Sequence, residues 1–188
     1  MEVFIPIAIL GGIVLLPVLW LMAIYNRFNR LRQHLRESWS GIEVELQRRY
    51  DLIPNLVETV KGYAAHEREM LSEVTQLRNQ AAANHGAVKS QSEDELRLEA
   101  GLRKLYMVAE AYPDLKASTN FLSLQQELAI TEDRIAATRR FYNGNVRDMN
   151  QLCDQFPTNL VAQMFGFEKG DYFEAEADAG RVPSAAVS

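Results

Sequence analysis

The apolar residues of this chain recur in steps of three and four, and this spacing constrains the fold more than any other feature. The first series begins at Phe28 and ends at Ala81. Residues three and four apart share one face of a helix, so the series predicts one packed helix reaching to about Asn84. The series passes through Pro54 without a change of phase. We therefore predict a bend in this helix at Pro54, and no break.

A polar segment at residues 84–94 separates the first series from the rest of the chain. It contains small and polar residues, and it ends with Ser92 followed three residues later by Glu95. That spacing is typical of a helix N-cap and its capping-box partner. We therefore predict a loop here and the start of a second helix close to Ser92.

The remaining chain also shows helical spacing. The second helix is predicted to end before Pro113, the third to run from about Ser118 to Gln155, and a short last helix to begin at Pro157. No segment alternates with period two over the length of a strand. The predicted fold class is all-α: an N-terminal transmembrane helix followed by an elongated up-down bundle of about four helices.

The transmembrane prediction rests on residues 3–25, which contain no charged side chain. As a helix this segment would extend roughly 34 Å, enough to cross a hydrocarbon core of about 30 Å. Trp20 and Tyr25 stand where interfacial aromatic residues are expected. A cleaved signal peptide is the alternative, but it would need a basic start and a small-residue cleavage site, and the chain starts with Met1 and Glu2.

Basic residues follow the uncharged segment at once, namely Arg27, Arg30, Arg32 and Arg36. By the positive-inside rule they predict that the soluble part lies in the cytoplasm. Arg27, Arg30 and Arg32, with Trp20 and Tyr25, are the predicted membrane-interface residues. Two interpretations of the arginines stay open: contact with anionic lipid head groups, or a topology signal alone.

The charge balance excludes some functions. The chain has 20 basic and 25 acidic residues and a formal net charge of −5, so it lacks the basic surface that nucleic-acid binding needs. Its three histidines show no metal-ligand spacing, and the start of a zinc motif at His66 and Glu67 has Met70 in place of the second histidine. We expect no cofactor, no metal and no catalytic set of nucleophile and base.

Two charged residues, Arg49 and Glu67, fall on the apolar series of the first helix. A charge there costs several kcal/mol unless it is paired and hydrogen-bonded. The remaining members of the predicted polar layer are Arg48, Glu132, Arg139 and Arg140. Two interpretations compete: ion pairs between helices that fix their register, or a layer that binds a small anion through its guanidinium groups.

Four sequence segments together identify a known family: "RRYDLIPNLVETVKGYAAHE", "EAYPDLKAS", "NFLSLQQELAITEDRIAATRRFYNGNV" and "FPTNLVAQMFGF". With the N-terminal span, they closely resemble the LemA family of bacterial membrane-anchored proteins. The resemblance implies a helical bundle on a single N-terminal anchor in the cytoplasmic membrane, and it supplies no enzymatic activity. The predicted domains are the anchor at 1–26, the bundle at 27–173 and a flexible tail at 174–188.

The functional expectation that follows is a non-enzymatic, membrane-anchored scaffold that organises or remodels the membrane. Its expected partners are membrane lipid, further copies of the chain and other envelope proteins, with no nucleic acid. Gly11 and Gly12 offer a small-residue contact for self-association. The alternative is a membrane-tethered sensor or small-anion-binding module that uses the Arg/Glu layer.

Overall fold

The computed structural model describes the backbone of residues 4–174 and the side chains of residue 13 and residues 15–174. These residues form six helices and no strand, which confirms the all-α prediction for the described part of the chain. The helices are α1 (Phe4–Tyr63), α2 (Arg68–Ala83), α3 (Val88–Ala109), α4 (Pro113–Lys116), α5 (Thr119–Asp154) and α6 (Thr158–Phe165).

The prediction of an N-terminal transmembrane helix is wrong for the described residues: none of their helices combines the length and the apolar character that crossing a membrane requires.

The first helix ends earlier than its apolar spacing predicts. α1 continues through Pro54, whose ring is exposed, and it ends at Tyr63. A tight turn at residues 64–67 separates it from α2, with the Glu67 N–H donating to the Ala64 carbonyl oxygen at 3.0 Å. Gly62, a weak helix former, lies just before the turn. The prediction of one helix to Asn84 is therefore wrong, whereas the bend at Pro54 stays a prediction.

The second helix begins earlier than predicted, because Ser92 is not a cap. α3 starts at Val88, and Ser92 is buried inside it. The Ser92 hydroxyl donates to the Glu174 carbonyl oxygen and accepts from the Glu174 N–H, both at 3.1 Å. The side chain that resembled a cap thus holds a distant segment. The rest of the predicted tail, residues 175–188, lies outside the described residues.

The described chain divides into two compact units. Unit 1 contains the chain up to Trp39 together with residues 142–170, and unit 2 contains residues 40–141 and the segment from Asp171. The core of unit 1 is a buried cluster whose members are Phe28, Met149, Leu152, Val161, Ala162 and Phe167. In unit 2, α2 packs against α3, whose Leu98 and Leu105 are fully buried.

Two helical glycines of unit 2 differ in the space around their Cα atoms. A Cβ atom at Gly101 of α3 would lie 2.9 Å from Leu77 Cδ1, whereas a Cβ at Gly41 of α1 would meet nothing within 4 Å. Alanine in a helix interior is more stable than glycine by about 0.5–1 kcal/mol. We expect Gly41→Ala to gain this amount in denaturant unfolding. The matched Gly101→Ala variant should gain less, because Leu77 must move; an equal gain would contradict the close approach.

Candidate functional site

Arg49, on α1, is the centre of a buried polar cluster in unit 2. Its side chain is 3% exposed, and its Nη2 donates to Glu95 Oε2 on α3. Its Nη1 donates to Glu132 Oε1 on α5 at 2.7 Å. One guanidinium group therefore bonds two carboxylates from two different helices, an arrangement for which its planar fork of donors is well suited.

Glu95 receives two further bonds from neighbouring side chains. The Tyr50 hydroxyl on α1 donates to Glu95 Oε1, and Gln91 Nε2 donates to the same oxygen at 2.8 Å. Gln91 Nε2 also donates to the carbonyl oxygen of Ala81, the third-last residue of α2, at 3.1 Å. We call Arg49, Tyr50, Gln91, Glu95 and Glu132 the Arg49 cluster; its contacts join α1, α2, α3 and α5.

A second set of polar contacts supports the turn between α2 and α3. Buried Asp94 accepts hydrogen bonds from Gln80 Nε2 and Asn84 Nδ2, each at 2.7 Å. Arg78 of α2 donates through its Nε to the Tyr50 carbonyl oxygen at 3.0 Å. The polar groups around the cluster are thus held by residues on both sides of the turn, which fixes the register of α2 against α3.

The structure brings together only part of the predicted polar layer. Arg49 and Glu132 form an ion pair, with 2.7 Å between Nη1 and Oε1. Arg48 forms a half-exposed pair with Glu127 at 3.4 Å. Arg139 is half-buried and Arg140 is exposed, and no ion pair among the described residues joins either of them to the cluster.

The prediction that Glu67 lies in this layer is wrong. Glu67 stands at the turn before α2 and accepts a hydrogen bond from the Tyr112 hydroxyl at 3.2 Å. The turn at residues 64–67 ends the helix whose regular continuation would have carried Glu67 onto the buried face. Because Glu67 is only half-buried, its side chain keeps much of its hydration and needs no buried cation.

Sequence reasoning missed Tyr50, Gln91 and Glu95, although a signal for two of them was present. Counted back from Leu98, Glu95 is three residues away and Gln91 a further four, so both continue the apolar series of α3. Polar residues at such positions face the core of the bundle. The predicted capping box of Ser92 and Glu95 placed the start of the helix close to Ser92. Gln91 then fell outside the predicted helix, and Glu95 was assigned to its cap.

The paired state of Arg49 argues against binding of a small anion. Two of its three nitrogens are bonded to carboxylates, and only Nε has no hydrogen-bond partner among the described residues. An anion approaching Nε would be repelled by both carboxylates. No group of three or more potential metal ligands occurs among the described residues. The cluster is therefore built to bond helices to one another.

Two tyrosines of unit 2 have raised pKa values: Tyr50, a member of the Arg49 cluster, and Tyr106, which lies near Glu132. Burial raises the pKa of Tyr50 to about 12, against the lowering effect of Arg49. Burial, helped by the charge of Glu132, raises the pKa of Tyr106 to about 12. Both groups ordinarily titrate at a pKa of 10.0.

We expect the free energy of unfolding to fall as the pH rises from about 10 to about 12, because the unfolded chain then loses phenolic protons that the folded chain keeps. Below that range the contribution of both tyrosines is fully present. Denaturant unfolding at a series of pH values checks this. Tyr106→Phe should make the fall shallower, and an unchanged slope would contradict the raised pKa of Tyr106.

The predicted membrane-interface residues all lie in unit 1. Trp20 and Tyr25 are exposed on α1, and the Tyr25 ring packs edge-on against Phe165 with 4.9 Å between ring centroids. Arg27 and Arg30 are exposed. Arg32 instead lies over the Phe167 ring, 4.5 Å from its centroid, so its guanidinium is engaged within the unit.

The fold and the site define a class: a helical protein whose buried charged cluster connects helices. The chain belongs to the LemA family, whose sequence model matches residues 38–186. It is 30% identical over 150 residues to Protein LemA of Metamycoplasma hominis, covering 80% of this chain and 68% of that protein. It is 27% identical over 184 residues to Magnetosome protein MamQ 1 of Paramagnetospirillum magneticum, covering 85% of this chain and 67% of the relative.

This chain is also similar to a magnetosome protein from a second organism. Magnetosome protein MamQ of Magnetospirillum gryphiswaldense is 25% identical over 184 residues, with 85% of this chain and 67% of the relative covered. The family resemblance inferred from the four sequence segments is thereby confirmed, and it extends over most of the described chain.

Proposed function

We propose that this protein is a non-enzymatic helical scaffold that associates with a membrane and with further copies of itself or other envelope proteins. The observation that carries the proposal is the exposed apolar surface of unit 1. Between residues 13 and 22 of α1, the described exposed large apolar side chains are Ile13, Leu15, Leu16, Val18, Leu19, Trp20 and Met22. A group of exposed large apolar side chains in one segment is typical of a region that contacts lipid or another protein.

The Arg49 cluster supports the non-enzymatic part of the proposal. Its charged and polar side chains bond one another between helices, and Arg49 and Glu95 are almost fully buried. Catalytic acids and bases need access to a substrate, and these two groups have none.

Fractionation of cells and mass measurement test the two parts of the proposal. We expect the full chain in the membrane pellet, and, after chemical cross-linking and extraction in mild detergent, in particles heavier than a single copy. Chain recovered in the soluble fraction would overturn membrane association. Single-copy particles that contain no other protein would overturn the scaffold.

A further inference from the structure

A second exposed apolar surface of unit 1 lies on α6 and the turn before it. Phe156, Leu160 and Met164 are spaced four residues apart and are 80%, 52% and 68% exposed. Leu160 and Met164 lie one above the other on one face of α6, and Phe156 lies in the turn before the helix. Phe165, beside Met164, is 43% exposed. We call these four residues the α6 stripe.

The opposite face of α6 already supplies the core of unit 1. Val161 and Ala162 are buried in the cluster that contains Phe28. Gly166, in the left-handed conformation at φ 66°, ends the helix, and the Phe167 N–H donates to the Ala162 carbonyl oxygen at 2.9 Å. The buried face of α6 thus holds the helix in the unit, and Phe156, Leu160 and Met164 are not part of that core.

The α6 stripe stands next to the exposed apolar part of α1. Leu21 and Ile24 of α1 pack against the same core cluster that α6 joins, and Tyr25 contacts the Phe165 ring. Exposed Trp20 and Met22 lie within one turn of Leu21 on the same helix. Two apolar surfaces from two helices are therefore neighbours within unit 1.

Positive charge accompanies this apolar surface. Residues 3–36 contain four arginines and no acidic residue, and Arg27 and Arg30 are exposed. The acidic residues flanking α6 are Asp154, which is paired with Lys169 at 2.7 Å, and exposed Glu168. Exposed arginines beside apolar and aromatic side chains are the composition that binds the surface of an anionic bilayer.

We infer that the α6 stripe is embedded in the boundary between head groups and acyl chains of an anionic membrane, with Arg27 and Arg30 at the level of the phosphates. The inference rests on the proposed membrane association and specifies which second element touches the lipid. A further copy of the chain is a weaker fit, because a stable protein interface buries about 800 Å² on each partner and has a packed centre. Four side chains along two turns offer much less.

Fluorescence quenching by brominated lipids tests the position of the α6 stripe in the full chain. The chain has two tryptophans, Trp20 and Trp39, so Trp20→Phe with Trp39→Phe gives a background without tryptophan. Met164→Trp in that background is the test variant. Phe141→Trp is the matched control, because Phe141 is 64% exposed on α5 in unit 2. Trp39→Phe alone leaves Trp20 as the reporter for α1.

Each protein is reconstituted in vesicles of phosphatidylcholine and phosphatidylglycerol that carry bromine at a shallow or a deep position of the acyl chain. We expect Met164→Trp to lose fluorescence, with a greater loss for shallow bromine, because an interfacial helix enters only about 5–10 Å beyond the head groups. The Phe141→Trp control should keep its fluorescence.

The outcomes separate the two proposals. Quenching at Trp20 without quenching at Met164→Trp would overturn the α6 inference and leave membrane association standing. No quenching at either position would overturn membrane association as well. If the Met164→Trp side chain is shielded from aqueous iodide but not quenched by lipid bromine, a protein partner covers the α6 stripe, and the lipid inference fails.

Discussion

Glu95→Ala is expected to lower the free energy of unfolding by about 3–5 kcal/mol, because it leaves the Arg49 guanidinium buried without its inner partner. Glu95 is 6% exposed, and the substitution also removes the acceptor of the Tyr50 and Gln91 hydrogen bonds. The remaining partner, Glu132, has a 40% exposed side chain and bonds a different nitrogen. Denaturant unfolding followed by circular dichroism, on the full chain in mild detergent, measures the change.

A matched control in the same unit separates burial from the mere loss of an ion pair. Arg48 and Glu127 also form a pair between α1 and α5, but both side chains are nearly half exposed. Exposed pairs contribute at most about 1 kcal/mol. We therefore expect Glu127→Ala to have a small effect. Equal losses in the Glu95→Ala and Glu127→Ala variants would contradict the central role of the Arg49 cluster.

A double variant distinguishes pairing from packing. Replacing a buried ion pair with apolar residues of similar size is often neutral or stabilising, whereas breaking it is costly. Arg49→Met combined with Glu95→Leu should therefore recover much of the stability that Glu95→Ala loses. If the double variant is as unstable as Glu95→Ala, the cost arises from lost contacts of Glu95 other than its bond to Arg49.

The long helices could be predicted because apolar spacing is a local property of the chain. The series that begins at Phe28 follows one face of α1 up to Val60, and α5 was placed to within one residue at each end. Where the first helix ends was not predictable from spacing, because the series keeps its phase through the turn at residues 64–67. A turn that preserves phase leaves no trace in the periodicity.

The buried charge could also be predicted, but its partner could not. Arg49 stands on an apolar face, and a charge there must be neutralised. Which carboxylate does so depends on how α3 lies against α1, and that placement is a property of the tertiary structure. Glu67 seemed suitable only while the first helix was taken as unbroken. Glu95 was not considered as a partner of Arg49 because its spacing from Ser92 fitted a capping box.

The second large effect is expected in unit 1, at Phe28. Its side chain is fully buried and stacks on Phe167, with 4.5 Å between ring centroids and 12° between ring planes. Truncating a buried phenylalanine to alanine costs about 3–5 kcal/mol, because it removes apolar contacts and leaves a cavity. We expect Phe28→Ala to lower the stability of unit 1 by this amount.

Hydrogen exchange measured by mass spectrometry shows which helices lose protection in the Phe28→Ala variant. Val161 and Ala162 of α6 share the buried cluster with Phe28, so the backbone amides of α6 should exchange faster in the variant. Phe141→Ala is the control of equal chemistry, and because Phe141 is largely exposed it should change stability by no more than about 0.5 kcal/mol. Unchanged exchange in α6 would show that Phe28 does not hold that helix.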